Sequence, residues 1–336
     1  MSNALPQIAL ADTGRATTQL GFGCSGLMGG ISERESLRLL ETAYDAGIRH
    51  FDVAPSYGHG AAERCLGKFM RGKSQQVTIT TKYGILPPQH TGMLEMARKF
   101  ARPVVRLTAK RLPAIRQRVA SAAAGLKGRA NFSVAEARGS LNHSLRELGL
   151  ERIDLWLLHE ATAADMGDGA LLEFLQEQVR LGRIGTFGIG SDAGSIPALW
   201  EQQRDYCRVL QFEWPGFAAA LSSYPGAFLI HHRVLNENFF QLSAMLEQDK
   251  RLRQRWSEFV DLDLTDRKNL AALLVKAALF AHPDRIVLFS SRTPAHILAN
   301  VGAAGDAGWN DRAERFREMI LHRDIGQSDI HQPRNG

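Results

Sequence analysis

Four side chains of complementary chemistry stand at or just beyond strand-like runs in this chain: Asp52 and Tyr57 in FDVAPSYGHG, Lys82 in TKYG and His159 in LWLLHE. An acid, a phenol, an amine and an imidazole gathered in one place suit proton transfer to and from a carbonyl oxygen. A free tyrosine, with a pKa of about 10, is a poor acid or base at neutral pH, but a neighbouring ammonium favours the phenolate and is expected to lower that value. Asp52 can hold Lys82 charged and oriented. His159 can donate to the carbonyl oxygen, where negative charge develops. Singly, each residue has a plainer reading: Asp52 as a loop cap, Tyr57 as a surface aromatic, Lys82 as a solvated amine, His159 as a satisfied core histidine. Their common place at strand ends favours the joint reading.

The elements that must position them form a repeat. Short, β-branched-rich apolar runs alternate with longer segments of helical period, the pattern of parallel βα units. The runs are TQLGFG (18–23), IRHFDV (48–53), VTITTK (77–82), IDLWLLH (153–159), IGTFGIG (184–190), VLQFEW (209–214), AFLIHH (227–232) and RIVLFS (285–290). Eight such strands close naturally into a (β/α)8 TIM barrel, with catalytic groups at the carboxyl ends of the strands. QIALA-DTG-RATTQLG, before the first barrel strand, reads as a β-hairpin plugging the barrel floor. No composition shift divides the 336 residues, so one domain is expected over 1–336.

Two helical insertions follow strand carboxyl ends, at about 85–132 and 236–262, and both are candidate lids over the active-site face. The first contains ten Lys or Arg and no Asp or Glu between Arg98 and Arg129. Such a patch would favour an anionic substrate or acidic partner, or form a solvated face. The net charge of +6 owes much to this one segment, and no nucleic-acid motif accompanies it, so a nucleic-acid partner is not expected. Cys24, Cys65 and Cys207 lack metal-ligand or CxxC spacing and read as buried thiols. No metal is expected. Without a spanning apolar run or a basic-then-apolar N-terminus, the chain is expected to be cytoplasmic, with no membrane partner.

LGFGCSGLMGG contains Gly21-x-Gly23-x-x-Gly26, the spacing of a dinucleotide fingerprint. In a Rossmann site the third glycine lies inside the helix that the loop opens. Here the first helix signal is the capping box Ser32-Glu33-Arg34-Glu35, well downstream of Gly26. A glycine-rich loop after a strand is the better reading.

From about residue 18 to 305, the two insertions excepted, the sequence resembles the aldo-keto reductases. FDVAPSYGHGAAERCLGKFM is similar to the family's stretch around its catalytic Asp and Tyr, TKYG to the strand carrying its Lys, and LNHSLRELGLERIDLWLLHE to the helix and strand leading to its His. The resemblance implies a TIM barrel, NADPH (NADP+) or NADH bound extended without a Rossmann domain, and reversible hydride transfer to an aldehyde or ketone. Gly23 and Cys24 would then lie beside nicotinamide and substrate. Ser191 and Asp192 stand where Ser-Asn usually binds the carboxamide, Gln211 at another carboxamide ligand, and Trp214 where a Tyr more often stacks on the ring.

His232, Arg233 and Val234 fall in the phosphate-binding loop. Ser290, Ser291, Arg292 and Asn300 match the adenosine-phosphate motif, with His296 replacing a common Gln. Arg292 suits the 2′-phosphate because its planar fork can donate two parallel hydrogen bonds. The expectation is an NADPH-preferring reductase in which Tyr57 is the general acid/base, Asp52 and Lys82 tune it, and His159 orients a small-molecule carbonyl or sugar substrate. The alternatives are a sugar (lactol) 1-dehydrogenase, or a redox-sensing NADP(H)-binding subunit with little turnover. Oligomeric state is not legible.

Overall fold

A computed structural model describes residues 4–86, 128, 131–167, 169–216 and 224–321. The chain begins with the expected antiparallel hairpin, β1 (Gln7–Ala9) and β2 (Ala16–Thr18). Eight parallel strands follow among the described residues: β3 (Leu20–Gly23), β4 (His50–Asp52), β5 (Thr78–Tyr83), β6 (Ile153–His159), β7 (Ile184–Gly190), β8 (Val209–Glu213), β9 (Phe228–His232) and β10 (Ile286–Phe289). They pair in sequence order, and β10 closes on β3 to complete the barrel. The run TQLGFG is divided between two elements: Thr18 ends the hairpin and β3 starts at Leu20. Between them the Gln19 amide donates to the Leu279 and His282 carbonyls at the end of a later helix.

Successive side chains in a strand face opposite ways, and in a barrel alternate residues fill the interior. Leu155, Leu157, Val209, Ile230, Ile286 and Leu288 form an inner cluster, closed below by Leu10 from the hairpin turn. That contact makes the hairpin the floor plug. Arg15 fastens it, pairing with the buried Asp154 at 2.9 Å and donating to the Gln75 and Val77 carbonyls. Two residues further up each inner face come the polar groups of the site. His50 lies one such step below Asp52, held between Thr78 and Thr80 at 2.9 and 3.1 Å. Burial, with Lys82 adding to it, pushes the His50 pKa down to about 3, so the layer beneath the site is uncharged.

The first helix starts where the sequence signals it. Ser32 and Glu35 form the reciprocal capping box of Glu33–Asp45, and Ser133 caps Val134–Leu148. The basic insertion lies almost wholly outside the described residues. The second insertion leaves β9 through Leu235 and Asn236 and forms two helices, Glu237–Gln248 and Lys250–Val260. These pack on the outer helices Arg267–Ala281 and Asn310–Leu321, with Trp256 buried edge-to-face against Phe316. Cys24, Cys65 and Cys207 are buried free thiols. No described helix is long and apolar enough to cross a membrane.

Helices Ala62–Phe69 and Val134–Leu148 meet closely at Gly67, where a Cβ would strike the Leu148 carbonyl. Glu63 is buried at the same level and accepts a 2.7 Å hydrogen bond from Thr81 on β5. Burial pushes its carboxyl from an ordinary 4.5 up to about 7, despite that hydrogen bond. A carboxyl whose folded pKa is raised stabilises fully below its unfolded pKa and loses that contribution as pH rises through the folded value. Between pH 4.5 and 7 the protein is therefore expected to lose stability on the order of 3 kcal/mol through Glu63 alone. Glu63→Gln, which keeps the acceptor without the charge, should remove that slope in denaturant titrations across this range. Parallel stability–pH curves for the two proteins would contradict the assignment.

Candidate active site

The deepest polar contact at the barrel mouth joins β4 to β5. Lys82 donates to both oxygens of Asp52, at 2.7 and 2.8 Å, and to the Val53 carbonyl at 3.2 Å. Only 3% of Lys82 and 4% of Asp52 is exposed, so neither charge is hydrated and each depends on the other. Burial alone would favour the neutral amine, but Asp52 and Tyr57 outweigh it and hold the Lys82 pKa above its ordinary value. Gln211 on β8 completes the shell, its amide nitrogen donating to Asp52 Oδ2 at 2.7 Å.

Tyr57 stands over this pair, with the Lys82 ammonium 5.3 Å from its ring centroid. It starts the turn Tyr57–Gly60, anchored by its amide to the Ala54 carbonyl at 3.0 Å. Gly58 follows at φ 57, and a Cβ there would strike Met28 and the Leu27 carbonyl. The glycine-rich loop after β3 therefore presses on the turn that aims Tyr57. The sequence predicts a lowered phenol pKa, whereas burial raises it, and Lys82 offsets that rise only in part. The correction has a simple cause: the cleft that brings the ammonium close also removes the water that would solvate the phenolate.

His159 lies across the same cleft, its ring 6.5 Å from that of Tyr57 and at 85° to it. Glu160, next in sequence, takes the left-handed region at φ 56 and bonds its amide to the Gly190 carbonyl. Such a conformation is strained for a side-chain-bearing residue and is found preferentially where a site needs it. On the other side, Gly84 has φ 144, and a Cβ there would overlap the His159 carbonyl oxygen. Two strand ends, β5 and β6, are thus locked together at the backbone level.

The cleft, about 780 Å³ in volume, is lined by Asp52, Tyr57, Lys82 and His159 together with Gly23, Ser191, Asp192 and Gln211. His232, Arg233, Val234 and Ser290 continue the same wall. The other expected residues lie off it. Cys24 is fully buried, and Trp214 and Asn300 are buried at 4% and 2% exposure. Arg292 and His296 are exposed and Ser291 is half-buried, beyond the rim. The Arg292 stem runs 3.4 Å from where a Cβ of Gly26 would be, so the third glycine of GFGCSG leaves room for that side chain. Gly23 has a similar role: a Cβ would come 2.6 Å from Ser290 Oγ.

Sequence reasoning missed Ser25, Ser56, Glu160, Thr162 and Glu213, all on the wall. Each follows or ends a barrel strand, a signal that position in the repeat carries and residue type does not. Asp192, the replacement for Asn, accepts from the Ser195 amide and hydroxyl at 3.0 and 2.6 Å. The Ser195 hydroxyl, chiefly, holds its carboxyl below the ordinary range, so it offers acceptors only. Glu213 accepts from the Ala193 amide and pairs with Arg233 at 2.7 Å, bridging the ends of β7, β8 and β9. Among the described residues no group of His, Cys, Asp and Glu is gathered to hold a metal.

A family model described as the aldo/keto reductase family matches residues 19–214. The chain belongs to the aldo/keto reductase family. It is 33% identical over 202 residues to a D-threo-aldose 1-dehydrogenase of a Pseudomonas species, covering 57% of this chain and 54% of that one. A pyridoxal 4-dehydrogenase of Microbacterium luteolum is 43% identical over 81 residues, covering 23% of this chain and 24% of its own length. The chain thus spans about half the length, or less, of these curated relatives. Among solved structures, a glycerol dehydrogenase from Gluconobacter oxydans matches with TM-score 0.63 at 19% identity over 97% of each chain. An aldo-keto reductase from Klebsiella pneumoniae in complex with NADPH matches at 0.60 and 17%, over 98% of this chain and 100% of that one. At such identities these likenesses speak for the barrel alone.

Gly84 supplies a test of how the aldo/keto reductase barrel holds this site. Gly84→Ala should lower the melting temperature by several degrees, since the backbone behind the new methyl has nowhere to move. Whatever protein remains folded should show a displaced His159. A variant with parental thermal stability and an unchanged His159 imidazole NMR signal would show that the β5–β6 contact is not the constraint described.

Proposed function

We propose that the chain, as a single domain over 1–336, is an NADPH-preferring oxidoreductase that interconverts an aldehyde or ketone and its alcohol. The observation that carries the reading is the buried Lys82–Asp52 pair under Tyr57, with His159 across the same cleft. The nicotinamide, when bound, supplies or takes up the hydride.

The rest falls to this chain's own side chains. His159 donates toward the substrate oxygen and fixes which face of the carbonyl is presented. Tyr57 gives its hydroxyl proton to that oxygen in reduction and recovers it in oxidation. The raised phenol pKa suits the first role, because Tyr57 rests protonated, and the Lys82 ammonium is placed to stabilise the phenolate that follows. Asp52 keeps Lys82 charged. The donor set also fits the cofactor: the Ser191 hydroxyl and the Gln211 amide for the carboxamide end, His232 and Arg233 with the Val234 backbone for phosphates, and Ser290, with Ser291, Arg292 and His296 beyond the rim, for the adenosine end. Gly23 gives the close approach that its missing Cβ allows. Cys24 and Trp214 are buried and do not line the cleft, so their expected contacts with nicotinamide have no support in its lining.

A sugar 1-dehydrogenase is the second reading. Ser25, Ser56, Glu160 and Thr162 line the cleft with hydrogen-bonding groups, which suits a polyhydroxylated lactol better than an apolar aldehyde. A screen of aldehydes, ketones and aldoses, following NADPH absorbance in both directions, separates the two.

Tyr57→Phe should leave NADPH affinity nearly unchanged and lower turnover by roughly a hundredfold or more, the usual effect of losing an acid/base group. Turnover close to parental on a good substrate would remove Tyr57 from the role. Arg292→Ala should weaken NADPH binding by roughly ten- to a hundredfold and spare NADH, since a charge-assisted contact to the 2′-phosphate is worth about 1.5 to 3 kcal/mol. Fluorescence titration with both cofactors checks this, and equal losses for the two would contradict it.

A further inference from the structure

Asp52 receives one more hydrogen bond than the proton-transfer scheme requires. Lys82 already spans both carboxylate oxygens, yet Gln211 reaches across from β8 to donate to Oδ2 at 2.7 Å. The contact is not a surface accident. Gln211 is 1% exposed, its backbone is fixed by the parallel ladder to β9, and its carbonyl accepts from the Ser191 amide at 3.0 Å. Its other amide atom, Oε1, faces Gly190, where an added Cβ would lie 3.3 Å away. The side chain is therefore anchored through its nitrogen, which is directed to the acid, while Oε1 packs beside the bare backbone of Gly190.

We propose that Gln211 is a positioning residue for the proton-transfer group, acting on Tyr57 through Asp52 and Lys82. The physical chain is short. A buried carboxylate with an unfilled lone pair is poorly solvated, and its full charge acts on everything near it. The Gln211 donation draws part of that charge toward β8. It also fixes the plane of the carboxylate, and hence the direction from which Lys82 is held. Asp52 raises the phenol pKa of Tyr57 and Lys82 lowers it, so the balance between them sets how readily the hydroxyl gives up its proton. Without the amide, Asp52 would act more strongly on Tyr57 and bind Lys82 more closely. Both changes push the phenol further up.

The consequence for turnover rests on the reductase reading above, but the effect on Tyr57 does not, so the two can fail separately. The test is a titration of the ligand-free protein carrying fluorotyrosine at position 57, followed by 19F NMR; the ring fluorine brings the phenol into a measurable pH range. Gln211→Met keeps the length and removes the donor. Its Tyr57 midpoint should rise by roughly half a pH unit or more. Gln211→Glu places a second carboxyl against Asp52, and the two should share one proton. While that proton is present, the Glu hydroxyl donates as the amide did and the midpoint stays near parental; at higher pH it is lost, and the pH profile of kcat should gain a new ionisation.

A purely structural Gln211 would lower thermal stability in both variants and leave the Tyr57 midpoint unmoved. That result in the folded proteins overturns the proposal. Should Gln211→Met not fold, the low- and high-pH behaviour of Gln211→Glu carries the test, and a pH-independent Tyr57 environment in that protein overturns it equally. Movement of the midpoint in a protein that reduces no carbonyl would sustain the inference while rejecting the reductase reading.

Discussion

A charge pair taken out of water governs the arrangement of this barrel's mouth. Lys82 and Asp52 each lose their hydration, and that loss is offset only if the partner is held at hydrogen-bonding distance with its remaining valences filled. The protein meets the requirement with neighbouring strands. β4 and β5 are adjacent in the barrel, so inward residues near their carboxyl ends meet directly. The Val53 carbonyl takes a further Lys82 contact, and Gln211 fills Asp52 from the opposite wall. Below the pair, His50 is kept neutral by burial and bound between two threonines, so no further charge intrudes.

Tyr57 and His159 inherit their positions from this pair and from backbone contacts around it. Tyr57 stands over Lys82 on a turn that the loop after β3 presses into shape through Gly58. His159 is held from the β5 side by the bare backbone of Gly84, and its neighbour Glu160 is pulled into the left-handed region by the Gly190 carbonyl. These contacts are made to main chain or to the Cβ of Met28, which change little with side-chain motion. They leave Tyr57 and His159 standing on rigid elements.

The rim is built differently. Asp192, Glu213 and Arg233 join the ends of β7, β8 and β9 through side-chain hydrogen bonds and one partly exposed ion pair. Exposed pairs of that kind contribute little stability. Their effect is to hold loop ends together at the rim of the cleft. Asp192 is instructive here: as a carboxylate already engaged by Ser195, it braces its own loop and keeps only acceptors for anything that binds beside it.

Period-two and period-3.6 patterning, read from the residues alone, determined the eight strands, the hairpin plug and the capping of the first helix, because hydrophobic periodicity and cap chemistry are local properties. It also determined that Asp52, Lys82 and His159 share a face, since each continues the inward positions of its own strand. Tyr57 was legible by its distance from Asp52 and by resemblance. Other features required the folded chain. The direction of the Tyr57 pKa depends on a contest between burial and a nearby ammonium, and burial is a sum over residues far apart in sequence. The Gln211–Asp52 bond joins residues 159 positions apart, and no local pattern encodes it. Gly84 looks like an ordinary glycine after TKY until the His159 carbonyl is found against it. Strand pattern tells which way a side chain points. What it meets there is decided by barrel closure, which brings the ends of distant strands to a common mouth.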